Sequence, residues 1–433
     1  MKLTPLENWI IDKTGIDRKD RLALEAYQLN QLKEALYYSK KNSRFYQEHL
    51  KEVDIESIHT IKDFESIPFT FSEDIKKQSL DFLCVPQREI KRIVTLNTSG
   101  TSGDEKRIYF THKDLELTVD FFQIGMSCLT DETDRVLVLL PGEAYGSIGD
   151  LLKKALTLSN IPCFVKGVLT DVEETAKYIE ENQITCIVGI PLQILYLSRM
   201  KSEIFRKRIR KVLLSTDYVP EVLVSELAQL AQCKVFNHYG MTEMGYGGGV
   251  ECEALKGYHM REGDLFFEII DPDSGKVVED GQYGEVVFTT FKRQAMPLIR
   301  YRTGDMAAFS NKKCECGAFL KTMHKVTGRI NNKVTLKNGG AIHLRELDEL
   351  ILKYYDIIDY KAILKAGDHL VLLLRTSVLI VKNSIEKELI KSILEKIQKP
   401  INISIIWMLD DGLPKISNSM MKRKIVDFRK GDL

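Results

Sequence analysis

The chain has 433 residues, more than one ordinary domain needs, and its 62 Lys plus Arg nearly cancel 61 Asp plus Glu to leave a formal charge of +1, so nothing electrostatic argues for nucleic acid or an anionic membrane as its main partner. The start, "MKLTPLENWIIDKTG", has neither the basic nor the apolar region of a secretory signal, and no later apolar run approaches the ~20 residues that span a bilayer; the expectation is a soluble, cytoplasmic protein. Eight cysteines in this length are too sparse for a disulfide framework, and free thiols are the default in a reducing compartment.

Residues 1 to 90 read as helical, with apolar residues at three- and four-residue spacing in "LALEAYQLNQLKEALYYSKKNSRFYQEHL". Ser72 in "SIPFTFSEDIKKQ" reads as the cap of a short helix. Strand-like runs then alternate with amphipathic segments, from "RIVTLN" and "RIYFTH" through "RVLVLLPG", "TCIVGIP" and "KVLLSTD" to "KVFNHYG", which predicts an α/β sheet covered by helices. "LFFEIIDPDSGKVVEDGQYGEVVFTTF" reads as paired strands joined by Asp-Pro and Asp-Gly turns, in a β-rich subdomain ending near residue 327. The remaining order is strand "KVTLKNG", helix "LRELDELILKYY", strands "DYKAILKAG" and "HLVLLLRTS", helix "IEKELIKSILEKI" and strand "ISIIWML", a small split-βαβ unit. The expected division is therefore a large domain over 1–328 and a small, mobile one over 329–433, with "TGRINN" as linker.

Between the first two strands lies "NTSGTSGDEK", in which Thr98, Ser99, Gly100, Thr101, Ser102 and Gly103 precede Lys106. Backbone N–H groups and small hydroxyls in such a run can wrap a phosphate, with the lysine as a point charge, although a plain turn has the same composition. The spacing is not that of a Walker loop. "NHYGMTE", "LIRYRTGD" and "TGRINN" follow in that order.

With "YYSKKNSRFY", "ESIPFTFSEDI", "CEALKGYH" and "CECG", this ordered set resembles the adenylate-forming superfamily and, within it, the phenylacetate-CoA ligase-like branch, over almost the whole chain. The resemblance implies an ATP- and Mg²⁺-dependent enzyme that converts a small carboxylic acid to an acyl-adenylate and passes the acyl group to coenzyme A. It assigns Thr98 to Gly103 and Lys106 to the β,γ-phosphates, Asn237 to the adenine edge, Tyr239 to the adenine face, Thr242 to a phosphate, Glu243 to magnesium, Asp305 to the ribose hydroxyls and Arg329 to the ribose or phosphate. His238 and Gly240 belong to the same nucleotide segment. Ser215, Thr216 and Asp217 match an adenine loop, while Tyr145, Gly146, Gly189 and Pro191 match regions lining the acyl pocket. Side-chain identities there do not name the acid, and nothing in the sequence names the oligomeric state.

Cys252, His259, Cys314 and Cys316 offer three thiolates and an imidazole, a closed structural zinc composition, although C-x-C is a less usual pair than C-x₂-C. The resemblance again favours zinc, as a staple of the β-rich subdomain. In the tail, "GLPKISNSMMKRK" places Ser419 and Met420 where relatives have Gly and a catalytic Lys, with Lys415 and Lys422 nearby. Asn331 stands where the family hinge often has Asp. A missing lysine should slow adenylation. Two rival readings follow: transfer of the acyl group to an amine or a carrier-protein thiol, or a silent nucleotide- or acyl-binding homologue.

Overall fold

The computed structural model describes residues 3–16, 19–96, 105–330, 333–377, 382–409 and 423–430. The expected phosphate loop Thr98–Gly103, the hinge residue Asn331 and the tail residues Lys415, Ser419, Met420 and Lys422 lie outside these residues. Among the described residues no helix is long and apolar enough to cross a membrane. The chain is mixed α/β and packs as two compact units, the first built from residues 1–133, 141–163 and 236–326, the second from 134–140, 164–235 and 327–433. The second unit takes chain from both sides of the expected 328/329 join.

In the first unit, helix Pro5–Thr14 opens with a capping box in which Thr4 and Glu7 exchange hydrogen bonds, and helix Arg21–Asn42 is capped by Asp20. Ser72 does not cap the helix Ser72–Gln78; it is the first helical residue, and the carboxylate of Asp74 instead reaches back to the backbone N–H of Phe71 at 2.8 Å. That substitution of one capping group for another frees the Ser72 hydroxyl for the site described below. Strand Ile90–Leu96 pairs antiparallel with Lys106–Thr111, with Leu96 opposite Lys106. Lys106 therefore stands at the exit of the hairpin connection. Helix His112–Ser127 follows directly, capped by Thr111 with Asp114.

Antiparallel strands in two separate sheets carry most of the candidate chemistry. Strands Leu265–Ile270, Gly284–Thr290 and Tyr301–Ala307 pair in chain order, as the alternating apolar pattern and the turn at Asp271–Gly275 predict. The end of strand Lys234–Tyr239 pairs with Gly249–Glu251, which pairs with Tyr258–Met260, which pairs with Thr322–Met323. Between the first two, the chain turns so tightly that a Cβ at Gly240 would lie 1.8 Å from the carbonyl oxygen of Tyr246, so only glycine fits there.

In the second unit, parallel strands Val136–Leu139, Cys186–Gly189 and Lys211–Leu214 lie side by side. They are buried throughout apart from Lys211, the continuous apolar run expected of parallel strands covered on both faces. The C-terminal segment adds antiparallel strands Ile357–Lys365 and His369–Thr376, helix Lys382–Ile397, and strand Ile403–Leu409 parallel to His369–Thr376. The first strand expected of this segment, Lys333–Thr335, does not join that sheet. It folds back on Ala341–His343 around Gly339, whose φ is +82°, and Val426–Asp427 takes the sheet edge beside Ile357–Lys365. One apolar core runs through this unit, with Leu197, Leu214, Leu223, Leu352, Ile357 and Ile393 among its fully buried members.

Candidate active site

Lys106 is 8% exposed, and its ammonium sits in a ring of three oxygens. It donates to the carboxylate of Glu243, to the phenol of Tyr301 at 3.2 Å and to the hydroxyl of Ser72 at 3.3 Å. Tyr301 Oη also lies 3.3 Å from Glu243 Oε1. Burial by itself would lower the lysine pKa, but the Glu243 carboxylate and the Tyr301 hydroxyl outweigh it and hold the ammonium above its ordinary value. Burial, then the Glu243 charge, pushes the Tyr301 phenol up to about 12, so it remains a hydrogen-bond donor across the physiological range.

Glu243 belongs to a single 3₁₀ turn, Thr242–Met244, closed by Gly245 with φ +76°. Arg293 fixes this turn from behind, donating to the backbone oxygen of Glu243 and, at 3.2 Å, to that of Tyr109, with its guanidinium 4.4 Å from the Phe110 ring centre. A carboxylate held this way could serve as one oxygen ligand of a hard divalent ion.

Asp305 is 2% exposed and lies on the buried face of strand Tyr301–Ala307. Its carboxylate accepts from Tyr239 Oη at 3.2 Å, and its backbone N–H donates to Thr303 Oγ1 at 3.0 Å. The pairing with Gly284–Thr290 slips between Glu285 and Val287, and Gly304 with φ +74° takes up the irregularity, so Asp305 is aimed by a bulge. Asn237 is fully buried; its backbone N–H and Nδ2 both donate to Glu251 Oε2, at 2.8 and 2.6 Å. Its carbonyl oxygen Oδ1 has no hydrogen-bond partner among the described residues. Burial raises the Glu251 pKa against the opposing pull of Lys325 and Asn237. His238 packs near Phe121 and Phe122, and desolvation of its ring lowers its pKa to about 4, which makes it a neutral packing group at neutral pH.

The other expected residues spread over both units. Tyr145 is exposed, with its hydroxyl 3.0 Å from His112 Nδ1 and its ring under the Lys154 ammonium. Gly146 has φ +70° and donates to Asp150 at 2.8 Å. In the second unit, Gly189 ends strand Cys186–Gly189 and accepts from Ser215 N at 3.1 Å, Pro191 is the buried first residue of helix Pro191–Met200, and Thr216 adopts φ +80°. Asp217 accepts from the Tyr218 N–H at 2.8 Å, and Arg329 lies in the two-residue strand Gly328–Arg329.

The four soft ligands meet. One donor atom from each of Cys252, His259, Cys314 and Cys316 lies within 4.8 Å of the others. Cys252 Sγ is 3.6 Å from Cys314 Sγ, and Cys316 Sγ is 3.2 Å from His259 Nε2. Thr322 Oγ1 lies 3.4 Å from His259 Nδ1 and orients the ring so that Nε2 faces the sulfurs. None of the four is in a disulfide. Three thiols and an imidazole converging at this range are a donor set that could hold a metal ion, with the composition of a closed zinc site.

A family model described as "AMP-binding enzyme" matches residues 31–292. The chain belongs to the AMP-binding enzyme family. Among curated proteins it is similar to phenylacetate-coenzyme A ligase of Thermus thermophilus, with 26% identity and 78% of each chain covered, and to the enzyme of the same name of Escherichia coli K12, with 24% identity over 82% of this chain and 79% of that one. Among solved structures, 2-hydroxyisobutyryl-CoA ligase in its postadenylation state, in complex with R3-HIB-AMP, has a TM-score of 0.80 at 17% identity, covering 94% of this chain and 90% of that one; this likeness speaks for the fold alone. Within the AMP-binding family assignment, sequence reasoning missed Tyr301, Ser72, Arg293 and Glu251. Tyr301 had a usable signal, because it shares strand parity with Asp305 inside "RYRTGD".

Proposed function

We propose that this chain is an AMP-forming acid–thiol ligase that activates a small carboxylic acid with ATP and transfers the acyl group to coenzyme A. The observation that carries this reading is the buried Lys106–Glu243–Tyr301 centre, whose lysine begins the strand that follows the Ser/Thr/Gly run in sequence. In the first half-reaction a carboxylate oxygen attacks the α-phosphorus and the bond to pyrophosphate breaks. In the second, a thiolate attacks the acyl carbon and AMP leaves.

Lys106 offsets the charge of the departing pyrophosphate, and the hydroxyls of Thr98, Ser99, Thr101 and Ser102 donate hydrogen bonds to it. Asp305 accepts from the ribose diol, Tyr239 covers the adenine, and the spare acceptor on Asn237 Oδ1 suits the exocyclic amine of the base. Thr242, Arg329 and the Ser215–Asp217 loop complete the nucleotide contacts, and Tyr145, Gly146, Gly189 and Pro191 border the acyl group. Glu243 would hold Mg²⁺, which would offset the negative charge of the phosphates. Cys252, His259, Cys314 and Cys316 would hold a structural zinc, since four protein ligands leave no open position. We place the enzyme in the cytoplasm, in keeping with eight cysteines that are all unpaired.

The test is carboxylate-dependent exchange of labelled pyrophosphate into ATP over aryl and aliphatic acids, followed by AMP release with and without coenzyme A. Acid-dependent exchange and coenzyme A-dependent thioester support the reading. AMP release that needs no coenzyme A moves the acceptor to an amine or a carrier thiol, and ATP binding without exchange marks a silent homologue.

A further inference from the structure

Three features set Tyr301 apart from an ordinary core aromatic. The first is how rigidly its backbone is held. Thr70 brackets it on both sides, donating from its N–H to the Arg300 oxygen at 3.1 Å and accepting from the Arg302 N–H at 3.0 Å. Arg300 is itself fixed by a two-point bond to Glu268, at 3.1 and 2.8 Å, and Arg302 by Glu285 at 2.8 Å. The Tyr301 ring packs with its centre 5.4 Å from that of Phe288.

The second feature is the chemistry its hydroxyl is forced into. An ammonium can only donate, and a carboxylate can only accept. A phenol within reach of both can accept from Lys106 and donate to Glu243, bridging the cation and the carboxylate. With Ser72 Oγ as the third acceptor at 3.3 Å, each of the three Lys106 protons has one oxygen.

The third is that Lys106 and Glu243 stand 137 residues apart in sequence and belong to a strand and a one-turn helix that share no backbone ladder. Something must keep both groups in place when each exchanges its partner, the lysine for a phosphate and the glutamate for a magnesium ion.

We propose that the Tyr301 hydroxyl, assisted by Ser72, is the positioning group that holds the Lys106 ammonium and the Glu243 carboxylate in register for the phosphates and the magnesium of MgATP. This rests on the adenylation reading above. As MgATP binds, the lysine gives up only its bond to Glu243 and keeps those to Tyr301 and Ser72, while the glutamate keeps the Tyr301 proton and turns its remaining lone pairs to the ion. Neither charged group is released into a rotameric search, so little ordering entropy is lost on binding.

The experiment compares wild type, Tyr301→Phe, Ser72→Ala and Ser72→Thr in two assays: equilibrium titration with ATP with and without Mg²⁺, and acid-dependent pyrophosphate exchange. Tyr301→Phe keeps the ring that fills the core and removes one hydrogen-bonding oxygen. It should weaken MgATP binding and raise the KM for MgATP about tenfold, the scale of a hydrogen bond to a charged group, while the KM for the acid stays within twofold of wild type. Ser72→Ala should shift the same two quantities about threefold, and Ser72→Thr, which keeps the hydroxyl, should restore them. Unchanged MgATP binding in Tyr301→Phe, or equal rises in both KM values, overturns the proposal. If Tyr301→Phe does not fold, the Ser72 pair decides: no difference between Ala and Thr also overturns it. Should wild type bind MgATP yet show no exchange, the ligase reading falls while the binding contrast still judges Tyr301.

Discussion

Lys106 in the first unit and Arg199 in the second are both buried cations, 8% and 6% exposed, yet they are committed in different ways. Arg199 is saturated by groups fixed in the fold: it forms a two-point bond to Glu226 at 2.8 and 2.5 Å and donates to the backbone oxygens of Leu352, Tyr354 and Ile357. It ties helix Pro191–Met200 to the end of helix Leu344–Ile351, and Glu349 adds a second tie by capping the N–H groups of Glu221 and Val222 at 2.7 and 3.0 Å. Among the described residues Lys106 instead donates only to side chains, one of them a carboxylate with chemistry of its own. The contrast teaches that burial of a charge marks no function by itself; the mark is a partner set that a ligand can replace.

Removing Lys106 should give the largest effect and should separate the two kinds of buried charge most sharply. Lys106→Ala removes the cation beside the buried Glu243 carboxylate, which should cost ~3–5 kcal/mol of stability and lower pyrophosphate exchange on the order of 10³-fold. The lysine read from sequence as a point charge for phosphate is also half of a buried ion pair, so its removal should affect folding as well as exchange. The neutral double variant Lys106→Met with Glu243→Gln should recover most of the lost denaturation midpoint and none of the exchange.

Arg199→Ala should lower stability by a similar ~3–5 kcal/mol, because Glu226 loses its partner and three carbonyls lose donors. Exchange per folded molecule should stay within about twofold, since no nucleotide group is assigned to Arg199. A collapse of exchange in folded Arg199→Ala protein would erase the contrast drawn here.

Metal removal sharpens the comparison on the structural side. The Cys314–Lys321 loop is tied to the N-terminal segment by Lys19 to the Gly317 oxygen at 2.9 Å, and by the Phe319 N–H to Glu7 at 3.0 Å; Lys321 N–H donates to Glu262 at 2.9 Å. Zinc near one atom per chain is expected in protein purified without chelator. Stripping it should lower the thermal midpoint and open the first thirty or so residues to proteolysis, while MgATP affinity changes less than threefold. Metal analysis that finds no zinc, or stripped protein with an unchanged midpoint, would refute the staple.

The smallest of these effects is a pH dependence. Because desolvation lowers the His238 pKa from 6.5 to about 4, the unfolded chain binds more protons between those values. The stabilisation from the neutral ring is therefore complete above pH 6.5 and is lost as pH falls through 4, up to about 3 kcal/mol. His238→Phe should flatten urea midpoints over that window, and an unchanged slope would show that the ring is not the group responsible.

Much of this site was legible in the sequence, and what was not has a physical cause. Lys106, Glu243 and Asp305 lie in short ordered motifs whose residue types match the chemistry of phosphate, metal and diol. The cysteines were legible as a ligand composition, but their meeting depended on the pairing of His259 with Thr322, which no spacing rule encodes. Ser72 and Arg293 act through partners far away in the chain and have no local signature, and the one local signal of Tyr301 is the strand face it shares with Asp305. Ser72 was misread because Ser before an acidic turn is a common cap, whereas Asp74 does that work here. In the C-terminal segment, "KNGG" is a hairpin signal, and weighing it above strand count would have removed Lys333–Thr335 from the expected sheet.

The most direct measurement of the central claim is acid-dependent pyrophosphate exchange by wild type beside Glu243→Gln, an isosteric change that removes the charge on which Lys106 and magnesium both depend. Wild type should exchange, and Glu243→Gln should lose that activity by on the order of 10²-fold or more while remaining folded. Equal exchange by the two proteins would contradict the account, because the buried pair would then be one more structural charge like Arg199.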